Sequence, residues 1–163
     1  MNSLPELSPE LKALNTAALI FLGVAILMAL SYMDVSHIGV TGSYLITPKD
    51  IADAYYGPGM SNNTLMGLAH IHMMGLFSVF WIISFIFVHS AISVKWRIFW
   101  CVLPYGGFLV DVAGWFLTKQ NENFVYEVII GGGLFILALA VMILVSLYQM
   151  WIVPLRAPGG QRS

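Results

Sequence analysis

The stretch "LAHIHMMGLF", residues 68–77, runs without a break into "SVFWIISFIFVHS", residues 78–90. It holds no lysine, arginine, aspartate or glutamate. A bilayer core of ~30 Å is crossed by about 20 apolar residues rising 1.5 Å each, and this run is long enough. Yet two histidines stand near its start, where an imidazole is poorly solvated. The run decides the fold class, and the histidines set the functional question.

The rest of the chain agrees with a membrane reading. It has 163 residues, 59% of them hydrophobic and 9% charged, with a mean hydropathy of +0.84. A soluble domain is typically about a quarter charged, so this chain has too few charges to cover a water-facing surface. The pattern predicts an all-α integral membrane protein, one transmembrane domain over residues 1–163. Its spans fall roughly at 13–33, 66–91, 98–117 and 124–153, folded as an antiparallel four-helix bundle. The N-terminus "MNSLPELSPELKAL" lacks the basic flank of a signal peptide. Ser8 followed by Pro9 reads as a helix start.

Charge and cysteine usage exclude several classes. A formal charge of -1 argues against nucleic acid, which calls for a basic face. The single cysteine, Cys101, rules out an internal disulfide, a cysteine-held iron–sulfur cluster and a covalent c-type haem. Lys12, Lys95, Arg97, Arg156 and Arg162 fall on one side of the four-span layout, Lys49 and Lys119 on the other. That bias predicts both termini in the cytoplasm.

The first outer loop carries its own helix. In "TPKDIADAYYG", residues 47–57, Thr47 caps, Pro48 takes the first position, Asp50 sits in the first turn and Gly57 stops the helix. Tyr55 and Tyr56 are expected to anchor it among the lipid headgroups. Ser61 or Asn62 then caps the second span.

Polar groups inside a membrane are costly and mark function. His72 lies about six residues, or ~9 Å, from the outer end of its span. Asp111 in "FLVDVAGWF" and the "GGG" of Gly131 to Gly133 reach the same depth on the third and fourth spans. His37 in "MDVSHIGV" stands just beyond the first span on that side. His70 and His72 are two residues apart, a rotation of 200° on a helix, so they face nearly opposite ways. His72 is expected to face inward, with Gly75, Leu76 and Val79, and His70 outward, with Met74, Phe77 and Trp81. His89, ~25 Å along the same helix, is expected at the opposite interface; Met150 is the partner that a second site there would need.

This layer suits haem b, held by axial histidines between facing helices. The candidate cofactor-binding residues are His72, His70, His37, Asp111, Gly131 and Gly132, with His72 and His37 as axial ligands. Met73, Met74, Phe77 and Trp115 would pack on the macrocycle. A copper site from His37, His72 and Asp111 is the alternative, and a chain without any cofactor the third case. Asp111 is expected to find a partner in His72, Trp115 or Tyr126, or to orient a ligating histidine.

"ITPKDIADAYYGPG" followed by "LAHIHMMGLF" resembles the membrane segments of bacterial respiratory proteins of the cytochrome b-like kind, over roughly residues 44 to 90. The resemblance implies b-type haem in the helices, with His70 or His72 as a ligand and His37 a possible partner. The chain departs from it in lacking a CxxCH module and the histidine pairs of a dihaem cytochrome. Any c-type haem would sit on an outer cytochrome, a partner beside the quinol pool.

Two main functions follow as expectations. One is a haem-b electron-transfer subunit of a respiratory complex. The other is a structural or accessory subunit packed against other membrane subunits, its histidines serving as interface donors. A proton-conducting element using Asp111 and His72 is a third. No nucleophile–base–orienter set and no phosphate loop is visible, so a non-catalytic role is expected.

Overall fold

The computed structural model describes residues 3–41 and 47–156, with side chains described for 3–31 and 47–154. Helices α1 (Pro9–Thr41), α3 (Asn62–Phe87), α4 (Val94–Gln120) and α5 (Val125–Trp151) are joined by the short α2 (Pro48–Tyr55), and α6 (Val153–Arg156) closes the described chain. Single 3-10 turns at Leu4–Glu6 and Glu122–Phe124 complete the order. Four helices are long and apolar enough to cross a membrane. The protein is a multi-pass, all-helical membrane bundle with a short helix in its first long loop. One end of the bundle carries α2; the N-terminal turn lies at the other.

Local chemistry sets the helix ends. Thr47 caps α2, its hydroxyl accepting from the Asp50 N–H while Asp50 accepts the Thr47 N–H at 2.8 Å. Ser61 caps α3 through the Thr64 N–H at 3.1 Å, so the cap is Ser61 and not Asn62. Gly57, at φ +57°, turns the chain out of α2 in a left-handed conformation that suits glycine.

α3 stops at Phe87, short of the end at residue 91 expected from hydropathy. The segment after it is apolar, but its backbone groups find other partners. Arg97 Nη1 donates to the Val88 carbonyl at 2.8 Å, and the Ala91 N–H donates to Gln149 Oε1 at 2.7 Å. Leu4 N–H donates to the His89 carbonyl at 2.9 Å. His89 is therefore in the turn, not on the helix. α1 departs the other way, running on to Thr41 where a span ending near residue 33 was expected.

Packing is tightest between α4 and α5, and glycine makes it so. A Cβ on Gly131 would collide with the Asp111 backbone nitrogen and stand 2.6 Å from the Gly107 carbonyl. One on Gly114 would stand 2.8 Å from the Val128 nitrogen. In lipid there is no hydrophobic drive to bring helices together, so dispersion between closely approached backbones carries more of the association. The core fills in around this seam: Phe80, Ile83 and Phe87 of α3, Phe108 of α4, Leu139 and Met142 of α5, with Leu19 of α1 and Leu4 buried against them. Phe80, Phe108 and Phe135 meet pairwise at centroid distances of 5.8 to 6.0 Å. α1 is the least covered of the four spans, and Trp151 Nε1 ties it to α5 by donating to Thr16 Oγ1 at 2.9 Å.

Candidate functional site at the α2 end

The rotation along α3 sorts its histidines. Leu65, Ala69, Phe80 and Ile83 are buried, and His72 lies half-buried on their face. His70 is exposed on the outer face, with Met66, Met74, Phe77 and Trp81. The two imidazoles therefore serve different surroundings.

His72 Nδ1 lies 2.9 Å from the Leu68 carbonyl. A carbonyl only accepts, so Nδ1 carries a proton and the bond leaves Nε2 as the outward nitrogen of the ring. The ring meets Trp115 of α4 edge to face, 5.6 Å between centroids at 87°. Trp115 is buried, and its Nε1 donates to Asp111 Oδ1 at 3.1 Å. Of the three partners expected for Asp111, the indole is the one it has. Tyr126 is exposed, and His72 is oriented by Leu68 of its own helix. Asp111 thus does not orient His72.

Tyr55 of α2 completes the group. It stacks on Trp115 at 5.9 Å and 19°, while Tyr56 is exposed. Burial first, then the Asp111 carboxylate, push the Tyr55 phenol up to about 12. Lys119 Nζ donates to the Gly57 carbonyl at 3.1 Å, fastening the turn after α2 to the end of α4. The sequence reading missed Tyr55 as an inward residue. Its signal was the Ile51–Tyr55 spacing, four residues apart on one helix face.

The other expected site residues are distributed as follows. Gly132 is half-buried, and a Cβ there would stand 4.0 Å from Asp111 Oδ1. Gly131 is closed by the α4 backbone. Gly133 faces open space. Met150 is buried in the core, whereas the His89 ring lies against the exposed Phe85 at 5.8 Å. His37 is in the helical backbone of α1, and its side chain lies outside the described residues. Among the described residues no group of three or more histidine, cysteine, aspartate or glutamate side chains is placed to hold a metal ion.

A haem tests this arrangement. It needs a flat gap beside an axial histidine, and Trp115 fills the bundle side of His72. Of the glycines expected to admit a neighbouring backbone or a flat ligand, Gly131 admits the α4 backbone. What the cluster does chemically is join α2, α3 and α4 through one indole, which gives a buried carboxylate a donor.

The sequence from residue 34 to 157 matches a family described as a transmembrane helical domain. The chain belongs to this family. The match takes in α2 through α5 and leaves the first 33 residues, most of α1, outside it. No curated protein and no solved structure matches the chain.

Proposed function

We propose that the chain is an accessory membrane subunit that docks in the bilayer against a larger membrane partner and contributes packing, not a reaction. The observation that carries this reading is His70. Ionisable side chains in membrane spans turn toward a bundle interior or a partner, and His70 is exposed on the outer face of its own bundle. It stands about eight residues, or ~12 Å, into α3. A partner helix with a polar group at that depth would satisfy the imidazole, the kind of interhelical hydrogen bond that averages about 0.6 kcal/mol. In this proposal the membrane is a bacterial inner membrane with both termini cytoplasmic, as the basic bias suggests. A cysteine at Asn62, in a Cys101→Ala background, then reacts with an impermeant reagent from outside; protection there would reverse the orientation.

The test is the size of the assembly solubilised from native membranes. The expected result is a species larger than the chain alone, converted to the free chain by His70→Leu. A free chain in the unaltered protein would contradict the proposal. The same preparation weighs the haem-b electron carrier, whose support is His72 with Nδ1 engaged by the Leu68 carbonyl and Nε2 outside that bond. A reduced-minus-oxidised b-type signal abolished by His72→Ala would replace the accessory reading.

A further inference from the structure

On the half of the bundle away from α2, α3 and α4 part to leave an open groove of about 670 Å³. Phe77, Trp81 and Phe85 of α3 form one wall, Ile98, Val102 and Tyr105 of α4 the other, and Arg97 closes the end. Its depth matches the membrane. Arg97 is three residues into α4, ~5 Å from the helix start and hence at headgroup level. Tyr105 is eleven residues in, ~17 Å deep.

The charge at the mouth is uncompensated within the chain. One guanidinium nitrogen, Nη1, donates to the Val88 carbonyl at 2.8 Å. Arg97 meets no carboxylate among the described residues. A guanidinium has five N–H donors in a fork that matches phosphate oxygens, so most remain for a ligand. Below it the walls are aromatic and aliphatic. The Cys101 thiol points at the Ser84 carbonyl, with Sγ 3.9 Å away, which turns that polar group toward α3.

We propose that this groove binds an anionic phospholipid, its phosphate on Arg97 and one acyl chain laid between α3 and α4 toward Tyr105. The length of the apolar walls selects a chain, and the cation at headgroup depth selects the charge. The groove shares Phe77 and Trp81 with the outer face that carries His70, but its cation and its α4 wall lie toward the other end of α3.

The experiment uses the full chain in phosphatidylcholine bilayers and measures by electron spin resonance how spin-labelled phosphatidylglycerol associates relative to spin-labelled phosphatidylcholine. One basic residue near the surface is worth about 1 kcal/mol toward anionic lipid, so the expected preference is about fivefold. Arg97→Gln brings the ratio close to one, and Arg97→Lys retains most of it. Val102→Trp, which fills the groove and leaves the cation, also removes it, while Lys95→Gln leaves it in place. Equal association of the two lipids with the unaltered protein would overturn the proposal. So would a preference that survives both Arg97→Gln and Val102→Trp, or one lost only in Lys95→Gln.

Discussion

Trp115 touches three side chains from three helices' worth of sequence: Tyr55 by stacking, His72 at its edge, and Asp111 through its N–H. The opposite facing of His70 and His72 was legible, because 100° per residue fixes it whatever the helix packs on. Tyr55 was not. Which face of an eight-residue helix turns inward is decided by what it lands on, and α2 lands on Trp115. The consequence appears in alkali. A phenol held neutral until about pH 12, against about 10 in an unfolded chain, adds stability that is whole below pH 10. That stability is lost as pH rises from about 10 to 12. The loss is expected to reach roughly 2 kcal/mol by pH 12. Thermal unfolding in detergent at pH 8 and pH 11.5 checks it: the unaltered protein loses stability between the two, and Tyr55→Phe loses distinctly less. Equal losses would mean that Tyr55 titrates as a free phenol.

Among the elements, the α4–α5 pair shows where a sequence pattern stops informing. Three consecutive glycines announce a close approach but not which of them makes it, since that depends on the rotational phase of α5 against α4. The structure selects Gly131, whose Cβ would meet backbone that cannot yield. Gly133 faces open space. Overpacking of this kind costs about 1–3 kcal/mol, while an unobstructed glycine-to-alanine change in a helix gains up to about 1 kcal/mol. Gly131→Ala is therefore expected to lower the unfolding temperature in detergent and Gly133→Ala to leave it unchanged or raise it. The reverse order would place the seam on the wrong face of α5. The early end of α3 was hidden for a related reason. Hydropathy sees the apolar "VHSAI" that follows, but not the Arg97 and Gln149 contacts that satisfy its backbone.

At the scale of the molecule, the four-span bundle was legible from hydropathy and span length alone, because only helices satisfy their backbone in lipid so economically. The haem expected in its interior rested on polar groups sharing a depth. There Trp115 lies against the His72 ring and Gly131 against the α4 backbone. The outer face of α3 stays uncovered, as do those of the other spans. Its apolar residues suit lipid as well as protein, whereas His70 suits a polar partner, and that difference makes the face testable. The direct measurement is photo-crosslinking in native membranes from a photoreactive residue at Met74, one turn from His70 and 67% exposed. Leu144, 66% exposed on α5, is the control position. The account predicts one discrete protein adduct from position 74 that is lost in His70→Leu, and only lipid adducts from position 144. Lipid adducts alone from both positions would contradict it.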